Sequence, residues 1–364
     1  MRVVYVSSCR HGGTVTHLHT LAPTVADAGA DVLVICATEE IAARFRRDGV
    51  EATVLELRHK FDVANAARLR RFLRSADVVH THDRRASLYA RPLARALGAR
   101  AVATYHGLPD ELASRVDGSS YVPPGTSLWR RLVARSYLPL EAALAALGQV
   151  VVPSRALAQY LVEHGFQRDR VHVIPSGIDI RRTEPARPHD PFVVCTSAYL
   201  IPRKGVDVLI AAAAKVKRPI RLEIFGDGDL RGELERQAAS LGVDARFRGD
   251  VPDVRNRLED VDLFVLPTRG DNLPVAILEA MACALPVVGT RVGGVPELVA
   301  HGETGIVVEP DSPDAMARAI DEIAGDTALR ERYARGGAQR AARLFEAGVV
   351  ARQMVRLYEE LNGN

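Results

Sequence analysis

Short apolar runs rich in β-branched residues alternate along this chain with longer Ala-, Leu- and Arg-rich segments whose apolar positions recur at helical spacing. The runs "VVYVS", "DVLVICA", "DVVHTH", "RAVATYH", "QVVVPS" and "VHVIP" come first. After a break come "FVVCTSA", "IRLEIFG", "ARFRG", "DLFVLPT", "LPVVGT" and "TGIVVEP". Strands of this kind, alternating with helices, imply parallel sheets flanked by helices. The break is "RRTEPARPHDP", Arg181–Pro191, where three prolines and a run of charge interrupt the pattern. The pattern predicts an α/β protein with two Rossmann-like domains, residues 1–187 and 188–345. A last helical stripe of Val350, Met354, Leu357 and Leu361, within 346–364, needs an apolar surface to pack on.

The chain has 364 residues, 47% hydrophobic and 26% charged, which excludes fibrous and disordered classes and suits two cores rather than one. The net charge of +3 hides an asymmetry: residues 1–187 carry 26 Lys and Arg against 18 Asp and Glu, residues 188–364 carry 22 against 27. A basic half can face an anionic polymer, a phospholipid surface or a phosphorylated substrate. Solvated helix faces in an Arg-rich protein account for it equally well. "RLRRFLR", Arg68–Arg74, also reads as a candidate membrane-facing amphipathic helix. The four cysteines, Cys9, Cys36, Cys195 and Cys283, have neither disulfide-framework nor zinc-ligand spacing, so a reducing cytosol is expected. No apolar run approaches the roughly 18 residues of a spanning helix, and "MRVVYVSSC" opens into a strand rather than a signal peptide. A cytoplasmic location follows.

In open α/β sheets, ligands bind beyond the carboxyl ends of the strands, so the turns after strands carry the candidate chemistry. Gly12 and Gly13 end the first such turn and start a helix, where backbone N–H groups favour a phosphate or sugar; a tight turn needing positive φ is the structural alternative. His106 in "TYHGLP" follows a strand, and its neutral ring would suit a sugar hydroxyl or a developing charge. His17, His80 and His82 have no comparable context. Arg203 and Lys204 stand at a helix start, the wrong end for cations unless an anion such as a diphosphate lies between them and the helix. Gly226 opens a Gly-Asp-Gly turn able to approach a nucleotide, although the GxGxxG fingerprint is absent. In "RGDNLPVAILEAMACALPVVGT", Asp271 lies at a strand-end loop, Pro274 starts a helix and Glu279 sits among Leu278, Ala280 and Met281. A carboxylate among apolar neighbours is costly without a partner, and a ribose would supply two hydroxyl donors. A solvent-facing helix-edge Glu is the alternative.

The ordered segments "GGTVTHLHTLA", "VHTHD", "YHG", "VPSRAL", "VIPSGID", "PRKGVDVLI", "FGDGDLRGELE" and "DNLPVAILEAMACALPVVGT" together resemble the retaining glycosyltransferases of the GT4 family, which have the GT-B fold. The resemblance covers nearly the whole chain. It implies two doubly wound domains facing a central cleft, an acceptor-binding first domain, a nucleotide-sugar-binding second domain, and a terminal helix at 346–364 that returns to the first. It places the family's pair of acids on Asp271 and Glu279. Glu279 would bind ribose, Asp271 with the amides of Asn272 and Leu273 would bind the donor sugar, and Arg203 and Lys204 would hold the diphosphate. His106 would contact the sugar near the reacting carbon, and Gly12 and Gly13 would face donor and acceptor. Two residues depart from the family pattern: Asp271 replaces a glutamate one methylene longer, and Ser176 stands where relatives often carry Asn.

The implied reaction is transfer from a nucleotide-diphosphate sugar to a hydroxyl of an acceptor sugar, glycolipid or small molecule. It retains configuration by front-face attack, without metal or other cofactor. Bacterial surface glycan, exopolysaccharide or glycolipid synthesis is the expected setting. The basic half would make peripheral contact with the inner face of the membrane, and no nucleic acid partner is expected. Closure of the two domains about Arg181–Pro191 is a further expectation. The competing readings are a GT-B-type epimerase or phosphorylase, a non-catalytic nucleotide-sugar-binding protein and, more distantly, a nicotinamide dehydrogenase.

Overall fold

The computed structural model describes residues 1–10, 12–57, 63–108, 138–182, 184–185, 188–251 and 253–363. These fall into two compact units, residues 1–108, 138–177 and 346–363 in the first and 178–345 in the second. The chain therefore leaves the first unit at Gly177, ahead of the expected break at Arg181–Pro191. The reason is local: the amides of Arg181 and Arg182 both donate to Ala282 O at 3.0 Å, which binds this segment into the second unit. The segment Asp110–Arg131, with the lone Trp129, lies outside the described residues.

The first unit holds a parallel sheet of seven strands: β1 (Arg2–Val6), β2 (Asp31–Cys36), β3 (Glu51–Val54), β4 (Val78–Thr81), β5 (Arg100–Thr104), β6 (Gln149–Val152) and β7 (Val171–Val173), in the order β3-β2-β1-β4-β5-β6-β7. The central strands are buried along nearly their whole length, as strands covered on both faces must be. β3 is the strand that the apolar pattern does not announce. At the sheet edge its four residues bury one side chain, Ala52, so they carry no apolar run.

The helix Val63–Leu73 buries Leu69 and Leu73 completely, in a core shared with Val4, Ile35 and Ala90. Its apolar face is thus occupied within the unit, which corrects the reading of Arg68–Arg74 as a membrane-facing surface; Arg68, Arg70, Arg71 and Arg74 remain exposed. The helix Ala347–Asn362 buries Val350, Met354, Leu357 and Tyr358 against Leu18, Leu21 and Val25 of the helix Gly13–Asp27.

The second unit holds six parallel strands: β8 (Phe192–Ser197), β9 (Ile220–Phe225), β10 (Ala245–Gly249), β11 (Leu263–Leu266), β12 (Val287–Thr290) and β13 (Gly305–Val308), in the order β10-β9-β8-β11-β12-β13. In each sheet the strand order reverses once near the middle, beside β1 and β4 in the first and beside β8 and β11 in the second. These are the topological switch points at which a doubly wound sheet opens a crevice. No helix among the described residues is long and apolar enough to cross a membrane.

Met354 is fully buried, so Met354→Ala should cost about 2–5 kcal/mol. Urea denaturation followed by a probe in the first unit should show the lower midpoint, and an unchanged midpoint would mean that this helix is no part of that core.

Candidate functional site

β8 and β11 pair in parallel, Val194 opposite Leu263 and Cys195 opposite Phe264, so the turns that follow them emerge side by side. After β8 comes a single 3-10 turn, Pro202–Lys204, and then Gly205 at φ +67°, which starts the helix Val206–Ala213. A Cβ on Gly205 would lie 2.1 Å from the carbonyl oxygen of Pro267, so only glycine lets the two turns touch here. Arg269 fastens them. Its amide donates to Arg203 O at 2.8 Å, and its guanidinium reaches Pro202 O, both oxygens of Asp207 and Asp311 Oδ1. Arg203 returns a bond to Gly270 O at 2.7 Å.

Within this lattice Lys204 Nζ donates to Asp271 Oδ2 at 2.5 Å, with side-chain exposures of 17% and 15%. The pair is too shielded to be a solvated surface bridge of little consequence. The structure therefore brings together Arg203, Lys204 and Asp271. Asn272 and Leu273 follow directly. Their amides donate to no other group among the described residues, whereas the Leu273 side chain is buried in the core, so any ligand contact of Leu273 is through its backbone. Gly294 abuts this loop: a Cβ there would fall 2.1 Å from Asn272 O.

Glu279 lies on the helix Val275–Ala282, between buried Leu278 and Ala280. Its carboxylate forms no hydrogen bond among the described residues. Burial pushes its carboxyl up to about 7; the nearby Arg255 charge pulls the other way and Asp253 adds to the rise. Arg255 is gripped by Asp253 at 2.9 and 3.3 Å and comes from the turn after β10. Neither Arg255 nor Asp253 belongs to a motif, so sequence reading passes over both. Gly226 has a plain architectural cause: at φ +113°, a Cβ would sit 2.1 Å from Ala198 O. It joins the ends of β8 and β9, whatever else it does.

In the first unit the corresponding turns follow β1, β4 and β5. Asp83, just after β4, accepts from Ser8 N at 2.5 Å, Ser8 Oγ at 2.6 Å and Ser7 Oγ at 3.2 Å, and also caps the helix Arg84–Ala96 through Ala86 N at 3.0 Å. His106, beyond β5, lies among the histidines that sequence context left aside. His82 Nδ1 is 3.1 Å from His106 Nε2, and the His17 ring packs edge-on to His106 with centroids 4.7 Å apart. Burial lowers all three, His17 to about 4 and His82 and His106 well below the ordinary histidine value, so the rings are neutral at physiological pH.

Behind them His80 bridges Tyr358 Oη at 2.6 Å and Thr104 Oγ1 at 2.7 Å. The turn after β5 opens on a cavity of about 400 Å³ lined by Thr14, His82, Asp83, Thr104, His106 and Glu141, among others. Gly12, at φ +91°, and Gly13 begin the helix Gly13–Asp27 with open space where their Cβ atoms would be. The signal for His82 was present in "VHTHD": a polar residue at the end of a buried strand.

Two family models match consecutive parts of the chain, one described as Glycosyltransferase Family 4 over residues 11–182 and one as Glycosyl transferases group 1 over residues 190–326. Among curated proteins, a GDP-mannose-dependent monoacylated alpha-(1-6)-phosphatidylinositol monomannoside mannosyltransferase of Corynebacterium glutamicum is 36% identical, over 46% of this chain and 50% of that protein. The lipopolysaccharide core biosynthesis glycosyltransferase LpsE of Rhizobium meliloti is 33% identical, over 52% of this chain and 57% of that protein. The chain spans about half the length of the curated relatives it matches. Among solved structures, Anabaena Alr3699/HepE, in complex with UDP and glucose, superposes with a TM-score of 0.82 at 21% identity, over 99% of this chain and 100% of that one. That likeness is one of fold, and the fold is GT-B. With both models matched in order, the chain belongs to the GT4 family of glycosyltransferases.

Proposed function

We propose that this protein transfers a sugar, with retention of configuration and without a metal at the donor, from a nucleotide-diphosphate sugar to a hydroxyl acceptor. The observation that carries the reading is the convergence of Arg203, Lys204, Asp271 and the amides of Asn272 and Leu273, which donate to no other group among the described residues, at the switch point of the second sheet. Glu279 adds, on a neighbouring helix, a carboxylate with no hydrogen-bonding partner among the described residues. A relative named as GDP-mannose-dependent, and a similar fold solved with UDP, support a nucleotide-sugar donor.

In this reading Glu279 accepts two hydroxyl donors from ribose. Arg203 and Lys204 hold the diphosphate and stabilise the charge that grows on it as the glycosidic bond breaks. The Lys204–Asp271 pair gives the site a built-in exchange: the diphosphate competes for Lys204, and Asp271 turns to the sugar hydroxyls. A donor phosphate oxygen takes the proton of the attacking hydroxyl, so no side chain need serve as nucleophile. In the first unit, neutral His106 has its Nε2 engaged with His82 Nδ1 at 3.1 Å and offers its Nδ1 to a sugar hydroxyl, and Gly12 and Gly13 leave room for close backbone approach. A surface glycan or glycolipid acceptor fits the basic first half and the relatives' printed names. Peripheral membrane contact would run through exposed arginines rather than through the occupied apolar face of Val63–Leu73.

Lys204→Ala should lower kcat by about 10²–10³-fold, the scale of losing one preorganised donor to a transition-state charge; steady-state turnover of the matching nucleotide sugar measures it, and a change below threefold would remove Lys204 from the reaction. Glu279 makes a pH prediction whose sign is fixed. Its raised carboxyl, at about 7, keeps a proton in the folded protein that the unfolded chain loses near the ordinary carboxylate value of 4.5, so this group's contribution to stability falls as pH rises through that window. Glu279→Gln should therefore melt higher than the parent at pH 8 by a margin that shrinks toward pH 5. The same ionisation should tighten nucleotide-sugar binding between pH 6 and 8 in the parent and leave the variant flat. Parallel pH slopes in the two proteins would contradict the assignment.

A further inference from the structure

His17, His82 and His106 each present one ring nitrogen, and the three nitrogens lie within 4.8 Å of one another. Within this cluster His82 Nδ1 and His106 Nε2 are 3.1 Å apart. Two imidazole nitrogens on one tetrahedral zinc ion, with bonds of about 2.0–2.1 Å, stand roughly 3.3 Å apart. Rotation of the His17 ring toward that pair would complete a three-nitrogen face.

Other facts point the same way. His17 is only 5% exposed, and neither of its ring nitrogens has a hydrogen-bond partner among the described residues. Buried polar atoms are ordinarily paired, so such a cluster calls for an explanation. The rings stand on rigid supports: His82 leaves β4, His106 leaves β5, which pairs with β4 through Thr81 and Ala103, and His17 is inside the helix Gly13–Asp27. The nearby carboxylates are engaged elsewhere, Asp83 with Ser7, Ser8 and Ala86, and Glu141 with Tyr105 and Arg84. An all-imidazole face selects zinc, cobalt, nickel or copper over magnesium or calcium, which take oxygen ligands. His82 and His106 also line the cavity of about 400 Å³, which leaves a fourth position for water or a small anion.

We infer that His17, His82 and His106 form a binding site for a zinc-class divalent ion in the first unit, with an open coordination position toward that cavity. The site takes none of the diphosphate-binding residues of the second unit; it shares His106 with the proposed sugar contact through a different ring nitrogen, and its binding test does not depend on the transferase reading.

The test uses the full chain without a histidine tag, stripped with chelator and then titrated with Co²⁺. One equivalent should bind with the intense visible absorption of tetrahedral cobalt, and Zn²⁺ should displace it. His17→Gln and His82→Gln should each weaken binding by about tenfold or more, at least the loss that removal of mere outer-shell partners produces. His172→Gln, outside the cluster, should leave it unchanged. Zinc-edge X-ray absorption of the unaltered protein should count three imidazole nitrogens at about 2.0–2.1 Å, a readout that survives if a variant fails to fold. No binding, affinity unchanged from the unaltered protein in both cluster variants, or a sulfur-to-cobalt charge-transfer band placing the ion on a thiol such as Cys9 would overturn the proposal.

Discussion

Pairing of β8 with β11 is the constraint on which the second unit's site depends. The two strands are separated by two further strands in sequence, yet they lie next to each other in the sheet. Adjacency alone would leave two independent loops. Gly205 removes the Cβ that would collide with Pro267, and Arg269 then ties backbone, Asp207 and Asp311 into one frame. Lys204 and Asp271 meet because that frame leaves them little other choice. Preorganisation of this sort is what a transition-state charge needs, since dipoles and cations already in place cost nothing to reorient when the bond breaks.

The first unit solves the same problem with an anion in place of a cation. Asp83 ties the turn after β1 to the turn after β4 and caps the next helix with the same carboxylate. Around that anchor sits a set of uncharged histidines, backed by Tyr358 from the chain's last helix through His80. The carboxy-terminal helix thus does more than fill a groove: its tyrosine reaches the polar layer beneath the cavity.

Twelve of the strands were legible because buried parallel strands write themselves as apolar runs. β3 was not, since an edge strand with one buried side chain has no run to read. Asp271, Arg203 and Lys204 could be picked out because charges at strand ends and helix starts contradict local preference. The histidines could not be ranked in that way. His17 stands on a helix and His82 on a strand end, and only the β1-β4-β5 order brings them to His106. Arg255 and Asp253 were invisible for the same reason, because the turn after β10 reaches Glu279 through tertiary structure alone. Gly226 is the converse case, a glycine suggestive of a ligand that also has a steric cause of its own in Ala198 O.

The most direct measurement is calorimetric titration of the purified protein with UDP-, GDP- and ADP-sugars in the presence of EDTA, repeated with Lys204→Ala and Glu279→Ala. The account predicts that one nucleotide series binds without metal and that both substitutions weaken it, Glu279→Ala by about 1.5–3 kcal/mol per lost charged hydrogen bond. Absence of binding to every nucleotide sugar, or binding indifferent to both substitutions, would contradict it.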